Sequence, residues 1–127
     1  MPPVQRLLVV DDNPDARLLL SELLSISGYE VSAVPSGREA LEVLDGVDPS
    51  LAILDLQMPE MDIFATLAAI RERCPSLPVI ALSGHVLPQD ESRIQAAGFD
   101  RSLSKPVALP ALLDAVRGML PPPEGAP

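Results

Sequence analysis

Only one cysteine, Cys74, occurs in the 127 residues, so no disulfide can form within the chain and cysteine usage gives no sign of secretion. Aromatic residues are almost as scarce. Tyr29, Phe64 and Phe99 are the whole set and tryptophan is absent, so the core must be built from leucine, valine, isoleucine and alanine. Lys105 is the only lysine beside eight arginines, and His85 is the only histidine. No purely apolar run exceeds four residues, against the ~20 needed to cross a bilayer. Met1 is followed by Pro2 and Pro3, not by a basic region and an apolar signal core. Positive charge is outweighed, with nine Lys and Arg against eighteen Asp and Glu for a formal net charge of −9. A domain that acidic repels nucleic-acid phosphates and anionic lipid. No nucleic-acid partner and no membrane insertion are expected, and a cytoplasmic protein is what remains.

Length and composition favour one folded unit. At this length roughly two-thirds of the unfolded surface can be buried in a single core, and 47% apolar with 21% charged residues is globular rather than disordered composition. Of fifteen prolines, six lie at the ends: Pro2, Pro3, Pro121, Pro122, Pro123 and Pro127. The reading is one domain over residues 5–120 followed by a Pro-rich tail or linker, 121–127.

Three continuous apolar runs, Leu7–Val10, Leu51–Leu54 and Val79–Leu82, suit strands buried on both faces of a parallel sheet. Helical patterns separate them. Ala16, Leu19, Leu20, Leu23 and Leu24 recur with helical spacing, after Asn13 and Pro14 as cap and first turn and before Gly28 as stop. Leu109, Leu112, Leu113, Val116 and Leu120 repeat the stripe near the C-terminus. Further helices are predicted over Gly37–Leu44, Asp62–Arg73 and Pro88–Ala97, and further strands over Tyr29–Val34 and Arg101–Ser104. Strand and helix alternate five times. That alternation predicts an α/β fold, (βα)5, with helices covering both faces of a parallel five-stranded sheet.

In such a sheet, ligands bind outside the carboxyl ends of the strands. Those ends carry Asp11-Asp12, Asp55, Ser83-Gly84 and Lys105-Pro106. Singly, each has an ordinary reading: Asp11-Asp12 as helix cap and dipole compensation, Asp55 as a turn residue, Ser83-Gly84 as a loop, Lys105 as a solvated lysine. His85 alone reads as a solvated imidazole, and Cys74, before Pro75, as a passive, partly buried thiol. Together they read differently. Three carboxylates at one edge repel one another by ~1 kcal/mol per pair at 4 Å in water and by ~4 kcal/mol at an intermediate dielectric, so the cluster needs a cation. Oxygen-only ligands with room for water point to Mg2+. A hard metal, a lysine and a hydroxyl around one more carboxylate can stabilise a phosphoryl group, with Asp55 as the nucleophile.

The set Asp11-Asp12, Asp55, Ser83 and Lys105-Pro106, with Met58-Pro59 after the central aspartate, resembles the receiver domain of two-component response regulators over essentially all of residues 5–120. The resemblance implies a doubly wound, flavodoxin-like sheet of strand order 2-1-3-4-5. It implies that Asp55 accepts a phosphoryl group from a phosphohistidine on a histidine kinase or histidine phosphotransfer protein. Asp11, Asp12, Asp55 and the backbone carbonyl of Gln57 would hold Mg2+. Lys105 would pair with the phosphoryl oxygens and Ser83 would turn towards them. The domain would also catalyse its own slow dephosphorylation and pass its state to a downstream effector protein. In receivers, a hydrolytic water approaches beside the positions of Gln57 and His85, so both are expected to modulate the lifetime of the phosphate.

Departures from the family pattern lie outside the acidic set. Ile63 stands where receivers often have glycine, eight residues after the acceptor. Ser102, three before the lysine, stands where an aromatic ring or histidine is usual, so a weak response of the output face is expected. The switch hydroxyl belongs to Ser83, where threonine is also common. An alternative reading is a docking domain that keeps the fold and ignores phosphate; the acidic set and the lone lysine disfavour it. An aspartyl phosphatase would place a second acid where Gln57 stands and would need a substrate cap. Flavin or nucleotide binding wants a glycine-rich loop after the first strand, which is absent. The short tail carries no output module, so a stand-alone regulator or a piece of a hybrid kinase or of a larger regulator is expected. Gly98-Phe99-Asp100 before Lys105-Pro106-Val107 leans towards receivers attached to sensor kinases. Leu18 falls on the outward side of the first helix and is a candidate contact for a kinase helix bundle.

Overall fold

A computed structural model describes residues 5–56, 63–84, 88–105 and 107–120, with the backbone alone for 88–91. Strands and helices alternate throughout these residues: β1 (Arg6–Val10), α1 (Pro14–Ile26), β2 (Glu30–Val34), α2 (Gly37–Val47), β3 (Leu51–Asp55), α3 (Ile63–Arg73), β4 (Val79–Ser83), α4 (Pro88–Ala97), β5 (Arg101–Ser104) and α5 (Leu109–Met119). Every strand pair is parallel and the order is β2-β1-β3-β4-β5. The spans follow the periodicity of the sequence closely. The largest difference is α2, which continues past the predicted stop at Leu44 to Val47. Gly46 inside a helix costs about 1 kcal/mol relative to alanine, and the helix absorbs that cost, ending instead at Asp48 in the left-handed region (φ 48°). Asp62, the predicted first residue of α3, lies outside the described residues.

The continuous apolar strands are sorted by parity. Leu8, Val10, Ala52, Leu54, Val79 and Ala81 pack on one face against Ala40 and Leu44 of α2, Ile63, Leu67 and Ile70 of α3, and Ile94 of α4. Leu7, Val9, Leu51, Ile53, Ile80 and Leu82 pack on the other against Leu20 and Leu24 of α1 and Leu112, Ala115 and Val116 of α5. β3 and β4 are buried along their whole length. Each fully buried leucine or isoleucine contributes roughly 1.5–3 kcal/mol, so these strands anchor the edge from which the polar residues project. Leu19 departs from its predicted place in the apolar stripe and is 56% exposed. α1 seats on the sheet through Leu20 and Leu24, one turn apart, and at about 100° per residue Leu19 falls off that line.

Two local devices bear on the site. At the β1–α1 turn, the Asn13 side-chain oxygen accepts the N–H groups of Asp15 (2.9 Å) and Ala16 (3.1 Å), satisfying orphan donors of the first helical turn. Asn13→Ala is expected to lower stability by about 1 kcal/mol, read as a shifted urea midpoint; an unchanged midpoint would remove the cap from the account. At the other end, Gly28 (φ 102°) closes α1, with Tyr29 N–H donating to Leu24 C=O and Gly28 N–H to Ser25 C=O.

Near the end of α3, Arg71 ties three segments together. Its guanidinium donates to the carbonyls of Leu77 and Gly98 (the latter 2.7 Å) and pairs with Asp100 Oδ2 at 2.7 Å. The same Asp100 oxygen accepts Val79 N–H at 2.8 Å. The entries of β4 and β5 are thereby locked to one another.

Candidate functional site

Register brings the polar residues together. Val10 is level with Leu54 across the β1–β3 pair, so Asp11 and Asp55 each stand one step beyond that row. Asp55 is level with Leu82 on β4, and Ser83 follows it. Ser83 in turn is level with Ser104 of β5, and Lys105 comes next, its N–H donating to Ser83 C=O at 2.7 Å. Four strands thus end at one place because the apolar rows beneath them are in step.

Asp11 is fully buried and Asp55 is 2% exposed, whereas Asp12 is exposed. One carboxylate oxygen from each of the three lies within 4.8 Å of the other two. Lys105 Nζ sits 2.9 Å from Asp55 Oδ2 and 3.7 Å from Asp11 Oδ2. Asp11 is held at several atoms: its N–H donates to Val34 C=O (3.1 Å), its Oδ1 accepts Asn13 N–H (3.0 Å) and its carbonyl accepts Arg17 Nη1 (2.9 Å). Burial, above all, pushes the Asp11 carboxyl up from its ordinary range; the adjacent Asp55 adds to this, while the Asn13 N–H and Lys105 oppose it.

Asp11 Oδ2 is buried and has no hydrogen-bond donor among the described residues. A buried carboxylate oxygen is seldom left so, and this one belongs to an all-oxygen cluster of three acids. The residues present therefore fit a hard divalent cation, which would satisfy that oxygen and offset the mutual repulsion of the carboxylates.

The other sequence candidates fall as follows. Ser83 is buried at the end of β4. Ser102 is half-buried in β5, level with Ala81. Gln57, His85, Met58-Pro59 and Pro106 lie outside the described residues. Ile63 needs no left-handed backbone: it is the first residue of α3 and is buried in the core, and among the described residues Asp48 is the only non-glycine with positive φ. Leu18 is 59% exposed on α1, as its helical phase predicts. Sequence reasoning passed over Arg17. The available signal was an arginine one turn into the helix that follows an acidic pair, within reach of the preceding carbonyl.

A doubly wound sheet of this order, with an acidic cluster and a lysine at its carboxyl edge, defines a phosphoaspartate signalling fold. The chain belongs to the response regulator receiver domain family, whose pattern it matches over residues 7–117. It is 37% identical over 106 residues to the sensor histidine kinase RcsC of Salmonella typhi, which covers 84% of this chain but 11% of the kinase. It is 30% identical over 115 residues to the polar-differentiation response regulator DivK of Brucella ovis, covering 89% of this chain and 94% of that one. The chemotaxis protein CheY4 of Vibrio cholerae matches with a TM-score of 0.87 at 29% identity, covering 93% of this chain and all of that one. Receiver domains act in two-component signal transduction and bind Mg2+ at an acidic cluster, and this chain carries the cluster. No helix among the described residues is long and apolar enough to cross a membrane.

Proposed function

We propose that residues 5–120 form a receiver whose Asp55 takes a phosphoryl group from a phosphohistidine on a histidine kinase or histidine phosphotransfer protein. Residues 121–127 serve as a tail or linker. The observation that carries this reading is the buried Asp55 carboxylate with Lys105 Nζ 2.9 Å from one oxygen, inside a cluster of three acids. An Asp55 oxygen attacks phosphorus, the P–N bond of the donor breaks, and the imidazole leaves as the neutral ring once it has taken a proton. Lys105 neutralises charge on the transferred oxygens, and the Ser83 hydroxyl donates to one of them. Asp11, Asp12, Asp55 and the Gln57 carbonyl would hold Mg2+, which supplies charge neutralisation at the phosphoryl group. Hydrolysis of the phosphoaspartate within the same pocket returns the domain to rest, at a rate that Gln57 and His85 modulate. The reaction belongs to the cytoplasm, where ATP charges the donor histidine.

The test is intact mass after incubation with acetyl phosphate. A gain of one phosphoryl group in Mg2+ and none in EDTA is expected. No gain in Mg2+ overturns the reading, and equal gain in EDTA overturns its metal.

Leu18 and Leu19, 59% and 56% exposed near the start of α1, support docking of the donor beside the pocket. Leu18→Glu is expected to slow phosphotransfer from the cognate kinase about tenfold, the size of a modest interface contact, while the rate with acetyl phosphate stays the same. Equal rates from the kinase would dismiss this contact.

A further inference from the structure

We propose that Arg17 is a positioning residue for the metal site: its guanidinium, bonded to the Asp11 carbonyl, fixes the peptide between Asp11 and Asp12 and so sets the pocket's affinity for Mg2+. The inference rests on the metal ligands proposed above.

Three observations carry it. Arg17 is half-buried and its own backbone is fixed, its N–H donating to Asn13 C=O at 2.9 Å in the capped first turn of α1. From that fixed base, Nη1 reaches back to the Asp11 carbonyl, also at 2.9 Å. That carbonyl belongs to the peptide joining the buried acid to the exposed one, so its orientation decides where the Asp12 side chain leaves the backbone. The other bonds to Asp11 do not control this peptide. The Asp11 N–H to Val34 C=O holds the preceding peptide, and the Oδ1 bond from Asn13 holds the side chain. Asp12 is exposed, so a cation has to gather its carboxylate from solvent unless the backbone already aims it.

The sign of the effect separates this role from simple electrostatics. The Arg17 guanidinium carries its positive charge at the Asp11 carbonyl and repels an arriving cation, so its charge alone weakens metal binding. Removing Arg17 then tightens Mg2+ binding if charge dominates, and weakens it if positioning dominates. Positioning is expected to win because the pocket needs three oxygens at once, and orienting groups around metal ligands are worth about 10–100-fold in affinity.

The test titrates Mg2+ into the full chain and follows amide NMR shifts. Arg17→Met is expected to raise the dissociation constant about tenfold, with Arg17→Lys between it and the wild type because an ammonium keeps the charge but not the planar fork. The thermal midpoint of both variants in EDTA is expected within a few degrees of the wild type. With acetyl phosphate as donor, the Mg2+ concentration for half-maximal rate shifts by the same factor, while the rate at saturating Mg2+ is retained. Equal or tighter binding by Arg17→Met overturns the inference, as does a rate deficit that saturating Mg2+ does not repair. Should Arg17→Met fail to fold, Arg17→Lys decides alone: weaker binding at unchanged charge supports positioning, and unchanged binding rejects it. A wild type that binds no Mg2+ overturns the proposed metal site itself. Normal wild-type binding with an indifferent Arg17→Met overturns only the role of Arg17.

Discussion

Asp55→Asn is expected to leave the intact mass unchanged after incubation with acetyl phosphate and Mg2+, where the wild type is expected to gain one phosphoryl group. The amide oxygen of asparagine is a poor nucleophile, and the substitution also removes one of the three carboxylates that draw the cation. It takes away the 2.9 Å partner of Lys105 as well, leaving that ammonium with Asp11 Oδ2 at 3.7 Å. Loss of labelling is therefore expected to be complete rather than partial. The fold should survive, because the side chain changes by one atom and the apolar rows beneath it are untouched. Circular dichroism of the variant checks this. A folded variant that still gains the phosphoryl mass at the wild-type rate would mean that another residue is the acceptor.

Asp11→Asn is expected to act in the opposite direction on the metal-free fold, stabilising it at neutral pH. The Asp11 carboxyl is raised above its ordinary value of 3.8, chiefly by burial. A raised acid binds its proton more tightly in the folded state. Its stabilising contribution is therefore full below the unfolded value and is lost as pH rises through the folded one. Once pH has risen through that raised value, the domain without metal carries an ionised carboxylate whose Oδ2 lacks a hydrogen-bond donor among the described residues. Such a group costs on the order of 1–3 kcal/mol, and asparagine relieves it while keeping an oxygen for the Asn13 N–H. Urea unfolding in EDTA is expected to show the variant more stable than the wild type at pH 7, with the gap closing as pH approaches 4. Saturating Mg2+ should reverse the order at pH 7, because it binds the wild-type fold more tightly. A variant less stable than the wild type at pH 7 in EDTA would show that the buried charge is not a burden.

Much of this was written in the chain because its apolar runs are short and unbroken. Leu7–Val10, Leu51–Leu54 and Val79–Leu82 had to be two-faced strands, and the polar residue after each had to reach the sheet edge. Parity along the runs divides the core between the two helical layers without further information. What the sequence hid was geometry one step finer. Leu19 looked apolar and helical in phase, but its exposure depends on how far α1 rolls over the sheet, which is set by Leu20 and Leu24 together. Ile63 stands where receivers often have glycine, and only the structure shows that it is the first residue of α3 and part of the core. Arg17 carried no motif. Its role became visible only when α1 was set back against the carbonyl of Asp11.

The strand order has a consequence for how the molecule is made. β1 is synthesised first, yet it lies inside the sheet, with Leu7 level with Val31 on one side and with Leu51 on the other. A nascent chain that has emerged only as far as β2 can form the first pairing but leaves the second edge of β1 open. That edge displays unpaired backbone groups beside Leu7–Val10, a surface on which a neighbouring polypeptide can template itself. Closing it requires β3, and parallel pairing across so long a crossover forms slowly. Exposure of β1 during translation is thus the window in which this acidic domain is open to aggregation, and the segment already made by the end of β2, with five Asp and Glu against two Arg, carries only part of the negative charge that keeps complete copies apart.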